Sequence, residues 1–311
     1  MRVLGALLLM LSGCFGGTVA GDALEFFPRT FDSSDPHRTS LGEAEVLGIA
    51  QLRSSRKWFG GISGMSFDGR TVTAVTDAGH WLRFDLRLDG AGRPIGAENL
   101  EIFPLGGLDG SKEDGDAEDL TWTPQGWLVS FERRHRLMLY PDGLSAKPVR
   151  QAAPEGFERQ PNNGGTEAVA RLRDGRLMLL SEDGEDADGL GWGWIGTPGA
   201  WQRFTYRREG AFHPTAAVQL PDGDILVTER RFSMIGGVAL RLARVALSDL
   251  RPGAVVRGRE VFRLEPPLLV DNFEGIAIHP RGDGRMVAYI LSDDNFNPLQ
   301  ATLLLSVLLP P

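Results

Sequence analysis

Five times along this chain a short apolar strand, a tight turn and a second apolar strand run into an acidic residue. The copies read GGISGMSFDGRTVTAVTD (60–77), DAEDLTWTPQGWLVSFE (116–132), GGTEAVARLRDGRLMLLSE (164–182), HPTAAVQLPDGDILVTE (213–229) and DNFEGIAIHPRGDGRMVAYILSD (271–293). Four of the five turns are Asp-Gly and the other is Gln125-Gly126; Asp-Gly between apolar runs is a strong hairpin signal. The equivalent starting positions, Ser63, Glu118, Glu167, Thr215 and Glu274, lie 55, 49, 48 and 59 residues apart. A period near fifty leaves room for four strands per copy, which predicts an all-β chain folded as a single β-propeller. Five copies give five blades, or six if one blade has lost its signature. After the last copy only residues 301–309 read as a good strand, so residues 44–52 are expected to supply the missing one. N- and C-terminal strands then close the ring and leave no free sheet edge between the first and last blades.

The 311 residues carry a net charge of −8, which argues against nucleic acid as a partner. Met1-Arg2 and the apolar run that follows are too brief to span a bilayer and read as an export signal over residues 1–21. Within it, Leu11-Ser12-Gly13-Cys14 looks like the lipobox of bacterial lipoproteins, in which the cysteine thiol takes a diacylglycerol; ordinary cleavage near Ala20 is the alternative. The expected location is the periplasmic side of a bacterial membrane as a lipoprotein, or a secreted or periplasmic form, with membrane contact only through a lipid on Cys14. Cys14 is the only cysteine, so disulfides are not expected. Residues 22–43 read as a polar lead-in and 44–311 as the propeller domain. The oligomeric state stays open.

Strands of a meander alternate in direction, so the start and the terminal acid of each copy belong at the same end of its hairpin. The first strand of a propeller blade lines the central channel. Ser63, Glu118, Glu167, Thr215 and Glu274 are therefore expected to ring one channel mouth, with Asp77, Glu132, Glu182, Glu229 and Asp293 just outside them. Carboxylates converging from several segments suit Ca²⁺, which accepts six to eight oxygens in loose geometry, with Mg²⁺ or Mn²⁺ as alternatives. The acidic loops 112–116 and 183–188 read more simply as solvated turns. Arg133 and Arg230 follow terminal acids and suit a clamp on a small anionic substrate, or a plain ion pair within the loop. Glu132, His80 and His135 are candidate proton carriers for hydrolysis, and His213 is placed to reach the mouth. Trp192 suits a ligand wall or, more simply, packing between blades. No nucleophile elbow, P-loop, dinucleotide fingerprint or H-E-x-x-H motif is present.

GGISGMSFDGRTVTAVTD, the strand openings DAEDLTW and EGIAIHP, and the endings LLSED, LVTERRF and ILSDDNFNP resemble the bacterial phytase-like, or esterase-like, family of exported propellers. The likeness covers about residues 45–310 and implies hydrolysis of phosphoesters or esters. The E-G-apolar openings are also similar to calcium-dependent lactonases of the gluconolactonase type, which implies metal ligation by Glu118, Glu167 and Glu274; Ser63 and Thr215 depart from that pattern. The expectation is an exported metal-dependent hydrolase. A non-catalytic cell-envelope binding propeller and a calcium-dependent lactonase are the alternatives.

Overall fold

The computed structural model describes residues 24–311; the expected export signal, the lipobox and Cys14 lie outside the described residues. Each copy of the repeat forms the inner hairpin of one antiparallel blade, and there are five blades. Blade one comprises Ile62–Phe67, Thr71–Thr76, His80–Leu88 and Pro94–Pro104; blade two comprises Ala117–Thr123, Gly126–Phe131, Arg136–Tyr140 and Val149–Arg150. Blade three runs Thr166–Arg171, Leu177–Glu185, Gly191–Thr197 and Ala200–Tyr206, and blade four His213–Gln219, Ile225–Ser233, Gly237–Val245 and Arg259–Leu264. The short strand Val255–Val256, on the way through blade four, pairs in parallel with the outer strand of blade three and stitches the two together.

Blade five contains Asn272–Pro280, Met286–Asp293 and Leu303–Leu308, and its fourth strand is Ala44–Arg53 from the other end of the chain. That strand pairs antiparallel with Leu303–Leu308, so the ring closes as expected. One further strand, Glu25–Arg29, lies outside it, inside the stretch read as a lead-in.

Consecutive inner strands touch around the ring, the fifth returning to the first. Among the described residues the apolar core divides into five clusters, one per seam between neighbouring blades. The seam of blades one and two, for example, packs Val75 against Leu120, Val129 and Phe131. This division follows from period-2 patterning: a strand buried on both faces by neighbouring blades reads as a continuous apolar run, as in Leu177–Glu185, whose first five residues are all buried. The radial arrangement holds all five inner strands in the same direction, so their starts share one end of the channel.

Candidate active site at the channel mouth

The inner strands share a feature that the letters do not announce. Each has a break in register at its start, between Ile62 and Gly64, Ala117 and Asp119, Thr166 and Ala168, Pro214 and Ala216, and Phe273 and Gly275. The unpaired residue at each β-bulge is Ser63, Glu118, Glu167, Thr215 or Glu274. A bulge re-aims a side chain and ends regular pairing, and five equivalent ones repeat this around the channel mouth. Deeper in the channel the next acid, Asp119, has a different task. Its two oxygens accept from the Val169 amide at 2.8 Å and the Leu120 amide at 2.8 Å, tying the inner strands of blades two and three together.

Glu118, Glu167 and Glu274 lie close enough for each to feel the charge of the others. Burial first, then neighbouring carboxylates, pushes Glu118 and Glu167 well above the usual carboxylate range. Glu274 is pushed up to about 7, mainly by burial and opposed by Arg230. Two subsites are distinguishable. In the first, Asp116, Glu118 and Glu132 are all buried and offer oxygens within 4.8 Å of one another, a spacing at which three carboxylates can share one cation. Glu132 is pushed up to about 7 by burial and the Asp116 charge, although it accepts from the Gly164 amide at 2.9 Å. Lys112 Nζ bridges Asp116 at 2.6 Å and Asp77 at 2.7 Å, and Arg133 also pairs with Asp116. In the second subsite Arg230 donates to Glu182 at 2.8 Å and is held charged by Glu274, Glu182 and Glu167. A guanidinium stands there among the carboxylates.

Backbone strain collects at the same end. Of the five described non-glycine residues with left-handed φ, four border this face: Trp58 at 71°, Arg133 at 54°, Asn295 at 50° and Phe296 at 48°. Phe296 lies against Gly61, where φ is +60° and an added Cβ would come within 2.4 Å of the ring and 2.3 Å of the Asp77 carboxylate. Such conformations persist only where surrounding contacts hold them, and they concentrate at functional sites. Asp294 supplies one such contact, accepting from the Phe296 amide at 3.1 Å and the Gly61 amide at 3.0 Å.

Residues 57–296, well over half of the sequence, match the phytase-like family, described as esterase-like activity of phytase. The chain belongs to the phytase-like family. No curated protein matches it. Among solved structures, this phytase-like chain is similar to the PQQ-bound aldose sugar dehydrogenase of Streptomyces coelicolor at 13% identity, covering 87% of this chain and 99% of that one, with a TM-score of 0.42. It is similar to a hypothetical protein from Leishmania major at 13% identity, covering 99% and 91%, with a TM-score of 0.44. A protein of unknown function from Dyadobacter fermentans matches at 12% identity, covering 93% and 92%, with a TM-score of 0.44.

Within the phytase-like propeller, Asp77, Glu132, Glu182 and Asp293 occupy matching places at the ends of their second strands. Their backbones lie opposite Gly61, Asp116, Gly165 and Asn272. Glu229 does not join them. The register sets it opposite Pro214, the place that Thr76, Phe131, Ser181 and Ser292 take in the other blades. The turn between Gln219 and Ile225 takes one residue more than that between Phe67 and Val72 while the step from bulge to acid is 14 residues in both copies, so the acid arrives one residue early. Because successive side chains of a strand point to opposite faces, Glu229 turns into the blade, fully buried on Arg241 and the Tyr206 hydroxyl at 2.8 Å, and Arg230 takes the rim place.

Three further candidates take the plainer of the roles the sequence offered. Trp192 forms no open wall: Arg203 lies over its ring at 5.0 Å, Trp194 meets it edge-on, and Gly184 packs against it. His80 stacks on Trp58 at 4.6 Å and turns Nδ1 to the Ala78 carbonyl at 2.8 Å, contacts of a peripheral turn and not of the carboxylate group. Arg133 is engaged as a counter-ion of Asp116, not poised as an open clamp. His135 is buried beside Glu132 across Gly165; its Nε2 donates to the Gln160 carbonyl at 3.0 Å, which leaves the Nδ1 lone pair without a partner. Burial keeps that imidazole neutral. His213 sits on Asp183 at 2.8 Å, which raises its affinity for a proton. Asp116, read with loop 112–116 as a solvated turn, is the site residue that sequence reasoning did not single out. It stands two positions before the bulge, where the other copies carry Gly61, Gly165, His213 and Asn272, and aligning that column points to it.

Proposed function

We propose that the chain is a cation-dependent hydrolase of phosphoester or carboxyl ester substrates, acting at the acidic mouth. The observation that carries this reading is the buried Asp116–Glu118–Glu132 group, three oxygens within 4.8 Å whose mutual repulsion a divalent cation relieves. Hard carboxylate oxygens fit Ca²⁺ best, and Mg²⁺ or Mn²⁺ next. A cation there would supply Lewis-acid polarisation of a substrate oxygen. The chain's own groups do the rest. Arg230 keeps positive charge on the rim for an anionic substrate, and neutral His135 offers a lone pair beside Glu132. Glu167 and Glu274 fix the position of Arg230 through their charge.

The test is turnover of a phosphomonoester, a carboxyl ester and a lactone, with chelator and with Ca²⁺ added back. Chelator should abolish turnover and Ca²⁺ restore it. Glu118→Gln, with its circular dichroism retained, should lower kcat at least about tenfold. Turnover of the lactone alone moves the assignment to a lactonase. A second reading, a binding propeller without chemistry, is favoured by the Lys112 and Arg133 pairs, which already offset Asp116. Absence of turnover on all three substrates, unchanged by chelator, would decide for it.

A further inference from the structure

The four most exposed large apolar side chains among the described residues all belong to one hairpin end and one loop of neighbouring blades. Ile235 is fully exposed, Met234 and Leu299 are 93% exposed, and Phe232 is 62% exposed. Both lie at the end of the second strand of their blade, so both stand on the mouth face. They do so in different ways. In blade one the ladder between second and third strands stops at Thr76–His80, and in blade five at Leu291–Leu304. In blade four it continues past Arg230 through Arg231–Ala239, Phe232–Val238 and Ser233–Gly237. Three further pairs lift the tip about 10 Å above the rim. The loop of blade five is held by its own acids: Asp293 accepts from the Asn295 amide at 2.6 Å, and Asp294 from the Phe296 amide at 3.1 Å. No charged residue occurs from Phe232 to Leu240, or anywhere after Asp294. Exposed apolar tips of this kind are not a by-product of packing; soluble surfaces scatter such residues singly.

The direction of the outermost strands adds an independent constraint. Leu303 pairs with Gln51, and Arg53 with Glu25, so the described chain starts at the mouth end of blade five. The cysteine expected to carry a lipid, Cys14, is ten residues before Leu24. Ten residues span at most about 35 Å, so a lipid there would tether the chain from the mouth end and bring that face to the bilayer over the shortest path.

We propose that the mouth face docks on a phospholipid bilayer, with Met234 and Ile235 of blade four and Leu299 of blade five entering the interface and Phe232 and Phe296 at its level. A bilayer, not a folded partner, is the occupant because the tips stand on separate projecting loops, which a fluid surface accommodates and a flat protein surface does not. Arg231 and Arg263 at the base of the hairpin are paired with Glu265 and Glu260, so attraction to anionic headgroups contributes little. Binding to a neutral bilayer rests on apolar burial and is insensitive to salt, whereas the carboxylates of the mouth oppose an anionic bilayer at low salt. This surface stands apart from the hydrolase reading, and it sets the mouth against the membrane whether or not chemistry occurs there.

The test uses the full chain with vesicles of phosphatidylcholine alone and of phosphatidylcholine with phosphatidylglycerol, read by hydrogen exchange and by flotation. Amides of 231–237 and 294–300 should exchange more slowly with phosphatidylcholine vesicles, equally at low and high salt, and with the anionic vesicles chiefly at high salt, where the repulsion is screened. Ile235→Asp and Leu299→Asp should remove that protection, and where no lipid anchor is present they should lower the floating fraction about tenfold or more. Vesicle association with no slowing in these two segments overturns the proposal, as does no association at all. Slowing that appears without vesicles and grows with protein concentration assigns the tips to a second copy of the chain, and overturns it equally.

Discussion

Glu132 and Glu229 were read alike from the sequence, as acids closing the second strand of a repeat, and the fold gives them opposite work. Glu229 is fully buried with Arg241, whose guanidinium also reaches Glu260 at 3.0 Å, so it is a structural charge. Glu229→Ala leaves Arg241 with Glu260 and the Gly258 carbonyl but strips the Tyr206 hydroxyl of its acceptor, and should cost about 1–3 kcal/mol. Cation binding at the mouth should survive; a denaturant titration and a calcium titration on the same sample check both halves. Glu132 and Glu274, by contrast, are carboxyls lifted to about 7 from an ordinary 4.5. Between those values the folded chain binds more protons than the unfolded chain, so the stability they contribute is complete below about pH 4.5 and is lost as pH rises through 7. Thermal melts of the cation-free protein should therefore fall steadily from pH 5 to pH 8. Added Ca²⁺ should recover the loss at pH 8 and do little at pH 5, and a flat profile would contradict the buried, repelling group. The convergence of Glu118, Glu167 and Glu274 was legible because repeat position carries over to spatial position. The slip at Glu229 was not, since one residue in a turn reverses which way an acid points without altering the pattern of letters.

At the scale of elements, the inner hairpins were legible from their Asp-Gly turns and apolar runs, whereas the bulges were hidden. A bulge inserts a residue into one strand, and the inserted residue is glutamate at three of these five positions but Ser63 and Thr215 at the other two, so no shared residue marks the break. Projection of the blade-four hairpin was hidden for a related reason: ladder length past the rim depends on Ser233-Met234-Ile235-Gly236 closing the turn, not on hydrophobic period. Ring closure, on the other hand, followed from simple counting, because one blade lacked a strand and one apolar run near the start lacked a blade. The closing strand packs Ile49 against Leu305, both in the seam of blades four and five. Leu305→Ala should destabilise by about 2–5 kcal/mol, as buried truncations do. Urea unfolding should keep a single transition with its midpoint lowered and its slope unchanged, since the seam belongs to a ring with no end blade to fray first.

For the whole molecule, two ends of unlike character result from one repeat. The turn end carries the Asp-Gly hairpins and a cavity of about 370 Å³ between blades four and five, lined by Leu220, Leu226, Val261, Met286 and Leu309. The mouth end carries the carboxylates, the strained loops and the apolar tips. The overall architecture was readable because a period near fifty is dictated by four strands and their turns. The character of each end was only half readable, because loop lengths there obey no period. Closure of the ring has one more consequence, and it concerns time. Ala44–Arg53 is among the first described segments made by a ribosome and Leu303–Leu308 the last described strand, so the partner of the early one does not exist until the other four blades have been made. Until then the completed sheets form a row whose two outer flanks are open, and the ring closes only once Leu303–Leu308 is available to pair. A nascent chain stalled before Leu303 is thus a different object from the closed ring, with every earlier strand made and none able to lock it.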